Sequence, residues 1–354
     1  MATNSYIAVG YRINSCLVSS NSYRVLSPES AFEQSHLEEI TDEVRQGDGR
    51  CFMSAQPNRS RETLWMIPFT MNQPRLFRFL DAMECTLIGN VRDKGLVFPL
   101  DVVSESINHA YLMRPIDRIN TLPIRTFMPN VAAARWKLSQ SLFRRVEQLH
   151  HMGLTSNGIS REQMRVDVNQ NEVILWLNET MSLSTGSGDT ATITRHQGFL
   201  SIPAATEKAC EEASITIRGE QRDIYSAAIC AFYMIMHSHP FVGSAFYRLV
   251  HNDYLTTYQN WPRYILESGT ENNLGNQMLS RAVGAQWDRT VPELKELFNG
   301  IFLAVTHPSE QWDDNGTYWD INAWYRALEL DAKKNDNDGS RGEYHFENEM
   351  YHLV

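Results

Sequence analysis

The sequence predicts an α+β fold in two lobes, a small β-rich one over residues 1–117 and a larger helical one over 118–331, followed by a polar tail over 332–354. Two observations carry this prediction. Before residue 117, apolar residues fall in short strand-like runs, YIAVGYRI, CFMSA, ETLWMIPF and LVFPLDVV, broken once by helical spacing. Beyond 118 the helical period takes over in the stretches 131–152, 218–238, 243–258, 291–306 and 318–331.

In the first lobe the helical stretch covers 74–88, with Pro74 suited to a first turn. Leu76, Phe77, Leu80, Met83, Cys85 and Leu87 supply an apolar face, and Arg75, Arg78, Asp81 and Glu84 turn to water or a partner. In the second lobe a hairpin separates the first two helices, with MRVDV and EVILWL as strands and Asn169, Gln170 and Asn171 at the turn. Residues 181–198 are rich in Ser, Thr and Gly and read as a loop. Ser184, Thr185, Ser187, Thr190, Thr192 and Thr194 offer phosphoacceptors there, although such richness also follows from loop composition alone. The tail begins polar and ends with Phe346, Met350, Tyr351 and Leu353; it reads as flexible.

Composition bounds the function. A hydrophobic content of 42% and a charged content of 21% support a packed core rather than disorder. The formal charge of −10 argues against nucleic acid as a partner, because phosphate binding needs a concentrated basic surface. Cys16, Cys51, Cys85, Cys210 and Cys230 show neither paired nor zinc spacing and read as buried thiols of a reducing compartment. With no leader pattern at the start and no apolar run long enough to span a bilayer, the expectation is a cytoplasmic protein without a membrane partner.

The stretch 145–180, RVEQLHHMGLTSNGISREQMRVDVNQNEVILWLNET, carries the chemistry-bearing frame. A helix ending in Leu149-His150, a short loop and a hairpin resemble the catalytic-loop region of protein kinases. Other segments resemble the same family in the same order. Residues 98–117 look like the last strands and hinge of the small lobe. Arg222-Asp223-Ile224-Tyr225-Ser226, followed by His239-Pro240-Phe241-Val242-Gly243, resembles the D-x-Y/W-S helix and H-P-F-x-G turn of a bacterial kinase subfamily. Asn260 to Ile265, then Trp287, Pro292, Leu297, Phe298 and Phe302, continue the similarity.

The resemblance implies a two-lobed protein-kinase-like fold in which His150, Asp223, His239, Pro240, Phe241 and Gly243 are structural. Asp223 would be buried and would accept hydrogen bonds from the loop backbone. The resemblance also places three replacements where the family does chemistry: Gly158 at the catalytic base, Gln163 at the metal-binding amide and Asn178 at the metal-binding carboxylate. Gly10 stands without the glycine partners of a phosphate-covering loop, and 63–69 offers no Lys. Positioning and charge neutralisation would be lost together, and phosphoryl transfer depends on little else.

The reading is therefore a catalytically inactive pseudokinase, a scaffold or allosteric binding module of a signalling complex, with no cofactor and no metal. The subfamily resemblance implies protein partners such as a von Willebrand factor A-like protein or a metal-dependent Ser/Thr phosphatase. Two alternatives stand beside it. One is a divergent enzyme transferring phosphoryl or nucleotidyl groups through Glu179, Asp167 or Asp189; the other is a sensor of a nucleotide or small ligand. His150 and His151 could suggest a metal site, but adjacent helical residues point about 100° apart. Trp312, Trp319 and Trp324 with Tyr318 and Tyr325 read as core packing rather than a stacking platform.

Overall fold

The computed structural model describes residues 12–14, 22–26, 53–57, 64–69, 73–88, 95–105, 108–113, 121–123, 132–178, 180–184, 198–249, 253–272 and 277–337. Gly10, Glu179, Asp189, the hydroxyl residues between 185 and 194, and the tail beyond 337 lie outside them. The chain divides into two compact units, Met1–Ile119 with Leu177–Leu183, and Asn120–Trp176 with Ser184–Val354. The sequence division fell at 117 and 118, without the short return of 177–183.

The first unit holds a six-stranded sheet in the order β1-β2-β3-β4-β7-β6. Its strands are β1 Arg12–Asn14, β2 Ser22–Leu26, β3 Met53–Pro57, β4 Leu64–Phe69, β6 Asp101–Glu105 and β7 Asn108–Met113; the short strand β5 Leu96–Val97, which precedes β6 in the chain, is not part of this sheet. All neighbours are antiparallel, and the register sets Met66 opposite Leu112 and Val102 opposite Tyr111. Helix α1, Gln73–Ile88, buries Phe79, Ala82 and Met83. The Phe79 ring meets Tyr111 of β7 edge-on at 6.0 Å.

Phe77, which the sequence places on the apolar face, is instead 59% exposed. The run LFRFL offers apolar groups at too many angles to choose one stripe, and the i, i+3, i+4 set Phe79, Ala82 and Met83 is the one buried. Strand β2 was not foreseen, and β7 was read only as part of a hinge region.

In the second unit, after the two-residue strand β9 Leu154–Thr155, β10 Met164–Asp167 and β11 Glu172–Trp176 form the hairpin, and β8 Thr121–Pro123 pairs with the other edge of β10. The Asp167 carboxylate accepts from the amides of Asn169 and Gln170, and Asn171 takes φ 50°, so the turn uses the polar residues that favour it.

Helices α2 Ala132–His151, α3 Ala204–Glu212, α4 Gly219–Met236, α5 Ser244–Leu249, α6 Tyr254–Asn260, α7 Gln277–Arg289, α8 Pro292–Thr306, α9 Pro308–Gln311 and α10 Ile321–Asn337 complete this unit. The single helix expected over 243–258 is two, because Asp253 caps a new start by accepting from the Thr256 amide. Helices α3 and α7 were missed; α3 buries only Thr206 and Cys210, too few for a legible stripe. Helix α10 runs six residues past 331, into the segment read as flexible tail.

Every residue of α4 is buried except Glu220. Such a helix is wrapped on all sides, and the aromatic cluster around Phe232 shows by what: Phe298 at 5.1 Å and Phe302 at 5.5 Å, both from α8. Trp324 of α10 stacks on Phe143 of α2 at 4.9 Å and donates to the Tyr318 carbonyl. Tyr318 and Trp319 are also buried, whereas Trp312, 5.1 Å from Trp319, and Tyr325 are half-buried, so only part of this aromatic group is core. No helix among the described residues is long and apolar enough to cross a membrane.

Asp331, fully buried on α10, joins three elements: it accepts from Trp136 Nε1 of α2 at 2.7 Å and from the Val291 amide before α8 at 2.7 Å. Replacement by alanine leaves two buried donors without acceptors, so Asp331→Ala is expected to cost about 2–5 kcal/mol. Urea denaturation of the variant beside the parent protein measures this.

Candidate functional site

The loop between α2 and the hairpin, residues 153–163, is organised by one carboxylate. Asp223, in the first turns of α4 and fully buried, faces the loop and accepts four hydrogen bonds. Its Oδ2 takes them from Thr155 Oγ1 at 2.8 Å, the Ser156 amide at 2.9 Å and His150 Nε2 at 3.1 Å. Its Oδ1 takes one from the Gly158 amide at 2.8 Å. A buried charge is tolerated when donors replace its hydration, and backbone N–H groups held in a tight loop do so without further ordering cost.

The loop geometry follows. Gly153, Asn157 and Gly158 take φ 70°, 57° and 104°. Asn tolerates the left-handed region, but a φ of 104° suits only glycine. The Asn157 amide donates to Thr155 Oγ1, and the Ile159 amide to Ser226 Oγ. Gly219, at the start of α4, presses on the same turn: a Cβ there would stand 2.6 Å from Thr155 and 2.7 Å from Asn157 Oδ1. Leu154 to Ser160 are all buried.

Gln163 closes the far end. Its Nε2 donates to Ser156 Oγ at 2.9 Å and its Oε1 accepts the Ser160 amide at 2.8 Å, capping the 3₁₀ turn Arg161–Gln163. The amide that the kinase resemblance aligns with a metal ligand is folded inward onto its own loop. In the first unit, Asn178 Oδ1 accepts from the Thr180 amide at 3.0 Å and Thr180 Oγ1 at 2.7 Å, an Asx turn leading to β12, Ser182–Leu183. Asp167, one carboxylate of the enzymatic alternative, serves the hairpin turn already described. Among the described residues, no group of three His, Cys, Asp or Glu side chains is arranged to hold a metal ion.

The turn 239–243 is built in the same manner. His239, fully buried, donates from Nε2 to the Phe199 carbonyl at 3.0 Å and accepts the Phe241 amide at Nδ1, which fixes a neutral tautomer. Burial lowers its pKa to about 4, against a smaller opposing effect of the Phe199 hydrogen bond. Phe241 is buried among Tyr258, Tyr264 and Phe302, and the Pro240 carbonyl accepts the Ile265 amide. Gly243 is buried directly before α5.

Three side chains hold successive carbonyls of 199–201: His239 on Phe199, Ser226 on Leu200 and Tyr258 on Ser201. Arg222 pairs with Glu207 of α3 nearby. Cys210 and Cys230 are buried free thiols whose pKa burial pushes up to about 12. The side chains of Cys16, Cys51 and Cys85 lie outside the described residues.

The structure thus joins His150, Gly158 and Asp223 directly and brings Gln163 to them through Ser156. Thr155, Ser226 and Gly219 do as much to shape the loop; Ser226 belongs to the 222–226 segment singled out in the sequence, whereas Thr155 and Gly219 were given no role there, since a hydroxyl or a glycine carries no signature until its neighbour is known. No protein-family model matches the chain, and no curated protein does so either.

Asp223→Ala strands four donors and is expected to cost on the order of 4 kcal/mol, with amide exchange at Ser156 and Gly158 accelerating more than elsewhere in the second unit. Hydrogen exchange followed residue by residue checks it. His239 sets a pH dependence of known sign. Between its unfolded value near 6.5 and its folded value near 4, the unfolded chain binds the proton and the native chain does not. Stability is present above pH 6.5 and falls by up to about 3 kcal/mol as pH drops towards 4. His237, lowered to about 4 by burial and the Arg135 guanidinium, acts in the same direction. Denaturation curves across this range should flatten in His239→Gln.

Proposed function

We propose that the chain is a catalytically inactive, protein-kinase-like binding module, a pseudokinase that works as a scaffold or allosteric partner in a signalling complex. The observation that carries this is how the 153–163 loop spends its polar groups. Position 158 has no side chain and gives its N–H to Asp223. Gln163 gives both ends of its amide to the loop's own Ser156 and Ser160. A base, a metal ligand or an oxyanion donor must reach outward to a substrate, and these groups reach inward. Asn178, neutral and turned onto Thr180, offers no anionic ligand for Mg²⁺.

What remains is a loop held by hydrogen bonds to a buried helix, a framework suited to binding rather than to moving protons. The partner classes that fit this reading are those the subfamily resemblance implies, a von Willebrand factor A-like protein or a metal-dependent Ser/Thr phosphatase. Binding of purified candidates, measured by calorimetry, tests that finer statement.

Thermal-shift titration with ATP, with and without Mg²⁺, tests the inactive reading. No Mg²⁺-dependent shift and no label transfer from γ- or α-labelled ATP are expected; a Mg²⁺-dependent shift with transfer would sink it. Restoring an acid by Gly158→Asp is expected to yield no transfer and to lower stability by about 1–3 kcal/mol, because the new side chain must adopt φ 104°.

A further inference from the structure

The chain contains three Asn-Gly pairs, at 157–158, 299–300 and 315–316. This dipeptide is chemically labile, because a glycine amide nitrogen, unshielded by any side chain, can attack the carbonyl carbon of the preceding Asn side chain. The structure places the three pairs in different surroundings. Asn157 is buried, and the Gly158 amide is held on Asp223 Oδ1. Asn299 lies within α8, where each amide points back along the helix and the backbone angles keep nitrogen and side chain apart. Asn315 is exposed, in a turn where the Gly316 amide donates to the Asp313 carbonyl at 2.9 Å and the Asn315 amide to Asp313 Oδ1.

Packing explains why the labile pair is kept. The Tyr318 ring lies between Gly300 and Gly316: a Cβ on Gly300 would stand 2.6 Å from it and one on Gly316 2.4 Å. The glycine at 316 is demanded by the core beneath the turn, so the exposed Asn above it is left with an unshielded neighbour.

We propose that Asn315 is a site of spontaneous deamidation. Hydroxide removes the Gly316 amide proton when the turn opens, and the nitrogen attacks Cγ of Asn315. The bond from Cγ to the side-chain nitrogen breaks and ammonia leaves, giving a cyclic imide. Water then opens the imide at either carbonyl, yielding aspartate or isoaspartate. The product adds a carboxylate beside Asp313 and Asp314, and the isoaspartyl form lengthens the backbone of the turn by one atom.

The turn supports more than itself. The Asp313 carbonyl accepts Trp319 Nε1, and Asp314 Oδ1 accepts Trp312 Nε1 and Gln221 Nε2, the last from the first turn of α4. Modification therefore reaches the start of the helix that carries Asp223.

The test is peptide mapping by mass spectrometry of the full chain after incubation at neutral and alkaline pH. The mass gain of replacing NH₂ by OH should appear in the peptide bearing Asn315, faster as pH rises. It should appear at least about tenfold faster there than at Asn157 or Asn299, whose amides must wait for larger openings. Detection of isoaspartate by enzymatic methylation should coincide with it, and Asn315→Ser should abolish both. An unmodified Asn315 under conditions that modify a free peptide of the same sequence, or earlier modification at Asn157 or Asn299, would overturn the proposal.

Discussion

A single buried negative charge holds the second unit's loop together. Asp223 sits where water is excluded, and an ion there persists only if protein donors replace its hydration shell. Thr155, Ser156, Gly158 and His150 supply those donors, and supplying them dictates where each must be. The two successive left-handed residues, the glycine at 158 and the close approach of Gly219 all follow from bending a short chain around one carboxylate. Substituting any of them breaks the geometry rather than one contact, because the donors share an acceptor.

This dependence separates what a scaffold needs from what chemistry needs. The groups that satisfy Asp223 are two backbone amides, a hydroxyl and an imidazole, and none of them is a side chain at 158 or 163. The loop thus keeps its shape with a glycine and a glutamine at those positions, the glutamine strengthening it by capping its own turn. A frame held in this way needs no acid at 158 and no metal ligand at 163, which is the physical basis of the proposal that the chain is a binding module.

Legibility in the sequence followed the strength of local signals. Helices with a wide apolar stripe, such as α2 and α8, and the hairpin with its Asp and Asn turn announce themselves by period and turn chemistry. Asp223 and the 239–243 turn were singled out through their resemblance to the D-x-Y/W-S helix and H-P-F-x-G turn of a bacterial kinase subfamily. Phe77 was misplaced because adjacent apolar residues leave the buried stripe undetermined until the sheet is present. The break at Asp253 was missed because an N-cap inside a helical pattern reads as one polar residue among others. Thr155, Ser226 and Gly219 matter through partners more than 60 residues away in sequence, and the linear pattern holds no trace of that pairing.

Helix α4 is wrapped on every side but one residue, and its wrapping comes from both directions along the chain. Residues of α2 precede it, whereas Phe298 and Phe302 of α8 are synthesised some sixty residues later. On the ribosome, at about 5–20 residues per second, an apolar helix therefore waits several seconds for its covering partner. During that interval its surface is open to self-association or to a chaperone, so an element almost wholly buried in the finished protein is exposed during its making.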